Sequence, residues 1–161
     1  MTQTLTEQAI EPAVRAWTRL LRAYALTTRL LSAELQEAHG LTINDFEALL
    51  HLSRAEESRM RRVDLAEKLI LTASGVTRLL DGLEESGLVD RAACDSDRRV
   101  TYAVLTESGH AKLKEASQSH VADIRAFFET RFSTDELDQL AALLGRLPGA
   151  ADAVEEDCSA G

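Results

Sequence analysis

At 161 residues, 45% of them apolar and 28% charged, the chain has the length and composition of one folded domain with its own core, which excludes a disordered segment. The formal net charge of −9 sets the protein as a whole against polyanions, and two cysteines are too few for a disulfide framework, as expected of a cytoplasmic protein. No apolar run approaches the roughly 18 to 20 residues of a membrane span, and "MTQTLTEQAIEPAVRAW" has no basic start before an apolar stretch, so neither a membrane partner nor a signal peptide is expected.

Residues 12–39 carry one helical pattern. Val14, Trp17, Leu21, Tyr24, Thr28, Leu31 and Leu35 recur at alternating spacings of three and four, and Gly40 stops the run where a left-handed residue is needed. Leu20, Leu26 and Leu30 widen the stripe beyond what one neighbour would cover, which points to a dimer interface. A second helix runs from Ile43 to about Ala55 and turns Phe46, Leu49, Leu50 and Leu52 inward. The short basic link "ESRMRR" leads to a brief helix, "VDLAEKL", with Val63, Leu65, Ala66 and Leu69 apolar. After the tight link "ILTAS", Thr72 caps a helix over Ala73–Ser86 that buries Val76, Leu79, Leu80 and Leu83 and closes at Gly87.

"LVDRAAC" and "VTYAVL" then alternate as two strands of a hairpin around "DSDR". Thr106 caps a long helix through about Arg131, with Leu113, Val121, Ile124, Phe127 and Phe128 apolar. "STDE", from Ser133 to Glu136, is a capping box before a last helix through Leu137, Leu140, Leu144 and Leu147. Pro148 and Gly149 end it, and "AADAVEEDCSAG" reads as a frayed acidic tail.

Short helix, tight turn, second helix and hairpin are the order of a winged helix-turn-helix, whose second helix lies in the DNA major groove. Opposite its buried stripe that helix presents Ser74, Thr77, Arg78 and Asp81 at i, i+3, i+4 and i+7. The hydroxyls serve base edges or phosphates, and arginine grips guanine or phosphate. Asp81 would repel phosphate, and pairing with Arg78 one turn away is its expected use. Gly75 costs on the order of 1 kcal/mol against alanine in a helix, which close approach to DNA or tight packing would explain equally.

Arg59, Arg61 and Arg62 stand at the module's edge as phosphate anchors or as a solvated surface. "DSDRR" has the same two readings. It is a solvated turn, or a wing tip whose Arg99 enters a narrow minor groove while Arg98 meets a phosphate. Residues 59–101 hold as many basic as acidic side chains while both flanks are net acidic, so the total charge does not bar a phosphate backbone there.

"LTINDFEALLHL", "VDLAEKLILTASGVTRLLDGLEESGLVDR" and "DSDRRVTYAVLTESG" follow one another with the spacing of the MarR family of transcriptional regulators, which the chain resembles from about residue 14 to 147. The D-x-R element of that family's wing falls on Asp97 and Arg99. The resemblance implies one domain, mainly α with a small β-hairpin wing: a winged helix-turn-helix lobe at 43–105, dimerisation helices at 12–39 and 107–147, and a flexible tail at 148–161. It implies a homodimeric repressor on pseudo-palindromic duplex DNA, with Arg99 in the minor groove, Asp97 orienting it, and release by a small-molecule effector. Trp17 and Tyr24 lie near where the family forms its effector pocket, and His51 on the second helix could be a third lining residue; all three read first as core or boundary positions. The rival reading is a winged-helix module that holds a partner protein without sequence-specific DNA binding, and the charge of −9 is its support.

No enzyme is expected, because the chain lacks a nucleophile elbow, a phosphate loop and a paired-carboxylate setting. His39, His51, His110 and His120 share no ligand spacing, so neither a metal nor another cofactor is expected. Cys94 has no basic neighbours beyond the turn arginines and reads as a small strand residue rather than a redox sensor, and Cys158 lies in the tail.

Overall fold

In the computed structural model, which describes residues 11–94, 97 and 99–149, Pro12 opens the long helix α1 (Pro12–His39) and Gly40 ends it at φ +70. Helix α2 (Ile43–Arg54) starts on a capping box: the Thr42 hydroxyl accepts the Asp45 N–H at 3.1 Å, and Asp45 accepts the Thr42 N–H at 2.8 Å. A 3₁₀ turn, Glu56–Ser58, leads into a strand β1 (Arg59–Arg61). Helices α3 (Arg62–Lys68) and α4 (Ala73–Glu85) follow, then strands β2 (Val89–Ala93) and β3 (Thr101–Leu105). Helix α5 (Glu107–Glu129) and helix α6 (Thr134–Leu144) complete the described chain, α6 on the expected Ser133–Glu136 box. None of these helices is long and apolar enough to cross a membrane.

The sheet has the order β1-β3-β2, all antiparallel, so the expected hairpin carries an additional strand. β1 pairs Arg59 with Val104, Met60 with Ala103 and Arg61 with Tyr102. Its one apolar residue, Met60, sits between two arginines, which is too short an alternation to separate from a basic loop by pattern alone. Met60 packs against the core, and that contact together with the pairing to β3, rather than propensity, holds the strand in place.

The core lies in the middle of the molecule, where Leu35 of α1, Leu49 and Leu52 of α2, Leu65 of α3, Val76 of α4 and Val89 of β2 are all but fully buried. Three expected inward residues sit elsewhere. Leu50 and Leu79 are only half-buried at its margin, and Val63 is 63% exposed because the short α3 turns Leu65 and Ala66 inward instead. Of the α1 stripe only Leu35 is buried, while Val14, Trp17, Leu21 and Tyr24 stay exposed; α6 buries nothing, and Leu143 and Leu144 are exposed along it.

Two histidines stitch the long helices together. His39 Nε2 lies 2.6 Å from the Ser119 hydroxyl of α5, tying down the end of α1. His120, also on α5, is buried edge-on against the Phe46 ring of α2, with centroids 4.9 Å apart. Burial pushes its imidazole below the usual histidine range, opposed in part by the Asp123 carboxylate.

Candidate nucleic-acid interface

Helix α4 projects its outer face because its inner face is fixed. Val76, Leu80 and Leu83 are buried, which leaves Ser74 and Arg78 exposed and Thr77 and Asp81 half-exposed on the other side. Its start is set by Thr72, whose hydroxyl accepts the Gly75 N–H at 3.1 Å. A Cβ on residue 75 would come within 3.2 Å of that same oxygen. A side chain there would crowd the capping hydroxyl, which is consistent with the packing reading of this glycine.

The acid–base pairing around α4 departs from the expected pattern. Asp81 does not pair with Arg78. Strand β2 runs beside α4 and carries Arg91 onto Asp81, with a second contact from Arg91 Nε to Glu84 Oε2 at 2.7 Å. Asp81 and Glu84 stand one turn apart, so one planar guanidinium serves both carboxylates. The sequence reading passed over Arg91; the signal was a lone cation in a strand that follows the acid-rich "DGLEE".

The arginines before α4 differ in the same way. Arg61 forks onto Asp64 with contacts of 2.7 and 2.9 Å, which raises its guanidinium pKa further, and Arg59 meets Glu57 at 2.5 Å while lying over the Tyr102 ring. Arg62 instead reaches across to α4, where Nη1 donates to the Thr77 hydroxyl at 3.3 Å; that hydroxyl donates in turn to the Ala73 carbonyl at 2.8 Å. Thr77 is thus part of the α3–α4 joint as well as of the outer face. Among the described residues Arg62, Arg78 and Arg99 have no acidic side chain as partner, whereas Arg59, Arg61 and Arg91 each do.

At the wing, Cys94 N–H donates to the Val100 carbonyl at 3.0 Å and closes the hairpin. The Asp97 carboxylate accepts the backbone N–H of Arg99 at 3.0 Å, and the Asp97 carbonyl accepts the Val100 N–H at 2.9 Å. Asp97 thereby fixes the main chain that carries Arg99 and leaves the guanidinium exposed, an aspartate-centred turn that needs no contact between the two charges. Arg98 lies outside the described residues, as does Cys158.

The wing is anchored at its base by "LTESG". The Thr106 hydroxyl donates to the Gly87 carbonyl at 2.8 Å and accepts the Gly109 N–H at 3.0 Å, while Thr106 N–H donates to the Leu88 carbonyl at 3.1 Å. A Cβ on Gly109 would overlap the Leu88 carbonyl oxygen and stand 2.5 Å from Leu105 Cδ1. The end of α4, the wing and the start of α5 are thus one locked corner.

The three residues expected to line an effector pocket are not gathered. Tyr24 lines an open groove along α1 with Thr28, Arg29, Ser32, Gln36 and Thr42; Trp17, 62% exposed, and His51, half-buried on α2, do not line it. Among the described residues no three His, Cys, Asp or Glu side chains gather in a metal-binding arrangement.

A family model described as the MarR family matches residues 39–100. The HTH-type transcriptional repressor YetL of Bacillus subtilis is 33% identical over 108 residues, 67% of this chain and just under two thirds of the relative's own length, at 64%. The crystal structure of AbsC, a MarR family transcriptional regulator from Streptomyces coelicolor, superposes with a TM-score of 0.74 at 33% identity, covering 97% of this chain and 100% of that one. Sco3205, a MarR family regulator of the same organism solved in complex with DNA, superposes with a TM-score of 0.73 at 26% identity over 83% of this chain and 90% of that one.

Proposed function

This chain belongs to the MarR family of transcriptional regulators, and from that premise we propose that it works in the cytoplasm as a homodimeric repressor of pseudo-palindromic duplex DNA, released by a small-molecule effector. As a family member it is a DNA-binding regulator and not an enzyme. The dimer seam consists of the apolar stripe left open on α1 and the leucines left open on α6. Two copies then present two α4 helices and two wings to successive turns of the duplex.

The observation that carries this reading is the sorting of the arginines. On a chain of net charge −9, the described arginines flanking α4 and at the wing that have no acidic side chain as partner are Arg78 on the outer face of α4, Arg62 beside it and Arg99 at the wing tip. Arg78 and Ser74 read base edges in the major groove, Arg62 and Thr77 meet the backbone together, and Arg99 enters the minor groove with Arg98 at a neighbouring phosphate. Arg61 takes a phosphate only by exchanging it for Asp64. The effector acts by binding a lobe spacing that does not fit DNA, so its differential affinity for the two spacings sets the release. Tyr24 and the α1 groove are its site, with Trp17 and His51 joining when the second copy closes over α1.

The test is a titration of the full chain against the DNA upstream of its own gene and against a scrambled duplex of the same length. Sequence-specific binding that Arg78→Ala relaxes supports the reading. Equal affinity for both duplexes, or none at low salt, overturns it. The second outcome favours a winged-helix module that holds a partner protein, which the charge of −9 would suit.

A further inference from the structure

Hydrogen-bond accounting separates the arginines that surround α4. Arg61 spends its Nε–Nη2 edge on Asp64, Nε at 2.7 Å and Nη2 at 2.9 Å. Arg91 spends the same edge on Glu84 and Asp81. Arg62 makes its contact through Nη1, which donates to the Thr77 hydroxyl at 3.3 Å, and its Nε–Nη2 edge has no partner among the described residues. That edge presents two parallel N–H groups, the fork that a phosphate accepts in bidentate fashion.

Thr77 is the opposite case. Its one proton goes to the Ala73 carbonyl at 2.8 Å, and one of its lone pairs receives Arg62. A phosphate ester of the backbone only accepts hydrogen bonds, so a hydroxyl whose proton is already spent has none to offer it. Turning that proton outward would give up the shorter of the two bonds. The hydroxyl is thus better suited to receive an arginine than to meet the backbone itself.

Arg62 has a use for such a receiver. It is exposed, and together with Arg91 it lines a small recess between α4 and the sheet. Asp81 and Glu84 neutralise Arg91, so two guanidiniums share the recess without strong repulsion. What remains is the rotamer freedom of a long, exposed side chain, which DNA binding would otherwise have to remove. One bond from Nη1 reduces that freedom while the phosphate-binding edge stays open.

We propose that Thr77 is a positioning residue: in the contact that the two residues share with the backbone, the bond to phosphate belongs to Arg62, and Thr77 holds the guanidinium for it. This rests on the reading of α4 as the DNA-facing helix and adds which group carries the contact.

The test titrates wild type, Thr77→Val, Thr77→Ser, Arg62→Ala and Thr77→Val/Arg62→Ala, each as the full chain, against the DNA upstream of its own gene and a scrambled duplex over a range of salt. Thr77→Val is expected to bind about tenfold more weakly, since a dimer loses two such bonds. Although it removes no charge, it should also lower the salt slope toward that of Arg62→Ala, which loses about 1.8 at about 0.9 per phosphate contact. Thr77→Ser keeps both hydrogen bonds and should bind as wild type does. With Arg62 already alanine, Thr77→Val should change affinity by less than about twofold. Costs that add in the double variant, or a Thr77→Val slope equal to that of wild type, overturn the proposal, because the hydroxyl then acts on its own. So does Thr77→Val binding as tightly as wild type. A wild type that binds both duplexes alike overturns the regulatory reading and the proposal with it, whereas a specific wild type with additive costs overturns the proposal alone. The comparison of Thr77→Val with and without Arg62 stands even where the valine lowers the melting temperature.

Discussion

Arg91 of β2 forms an ion pair with Asp81 of α4, and the same guanidinium covers Glu84. The pair is half-exposed, so its effect on stability is expected to stay below about 1 kcal/mol. Its electrostatic effect is expected to be larger, because it masks two carboxylates beside the face proposed to meet phosphates. Arg91→Ala is expected to weaken DNA binding about tenfold, or about 1.4 kcal/mol, and adding Asp81→Asn/Glu84→Gln is expected to restore it. Fluorescence anisotropy on an operator duplex measures both. A triple variant as weak as Arg91→Ala would show that Arg91 touches DNA itself.

Gly109 and Gly82 make opposite predictions. A Cβ at Gly109 overlaps the Leu88 carbonyl oxygen, which is main chain and cannot swing aside, whereas a Cβ at Gly82 meets nothing within 4 Å on helix α4. Gly109→Ala should cost on the order of 1–3 kcal/mol through overpacking. Gly82→Ala should add about 0.5–1 kcal/mol from helix propensity. Urea unfolding curves of the two variants check this, and equal midpoints would sink the locked-corner account of the wing base.

Ile70, in the turn between α3 and α4, has φ +54 and is 93% exposed. A β-branched side chain in the left-handed region is strained by roughly 1–2 kcal/mol, and here no burial offsets it. Ile70→Gly is therefore expected to raise stability by about 1 kcal/mol, part of the relief being lost to the freer unfolded chain. Thermal melts of wild type and variant decide it: a lower melting temperature for Ile70→Gly would mean that the side chain stabilises the turn in a way its exposure hides.

His120 gives a pH dependence of defined sign. Its folded imidazole titrates below the usual value because burial disfavours the charged form, with Asp123 acting the other way. As pH falls through the ordinary histidine range, the unfolded chain takes up the proton first, so stability is present above that range and lost below it. Melting temperature should thus fall between pH 7.5 and pH 5.5, and His120→Leu, which keeps the contact with Phe46, should flatten the fall. An equal fall in both proteins would assign the effect to other groups.

Much of this was legible in the chain. The capping residues Thr72, Thr106 and Ser133 mark three helix starts, and each hydroxyl accepts the N–H expected of it, because capping is a local interaction that sequence spacing encodes directly. Strand β1 was not legible, since three residues with one apolar position owe their conformation to β3, forty residues away in the chain. Nor was the partner of Asp81, because Arg78 is near in sequence and only the packing of β2 on α4 brings Arg91 closer. Gly75 is an intermediate case: its presence in the helix was visible, and its closeness to the Thr72 oxygen appears only in the fold.

Arg78 and Arg99 have no acidic partner among the described residues, and both are proposed to contact DNA. The salt dependence of affinity, for wild type and for Arg78→Ala/Arg99→Ala on the DNA upstream of the gene, tests that most directly. A dimer that loses four cations should lose up to about 3.6 from the slope of log affinity against log salt, at about 0.9 per phosphate contact. Binding should weaken at least about hundredfold, or about 2.7 kcal/mol, while the elution volume of the protein stays unchanged. Parallel lines with the same slope for the two proteins would contradict the account.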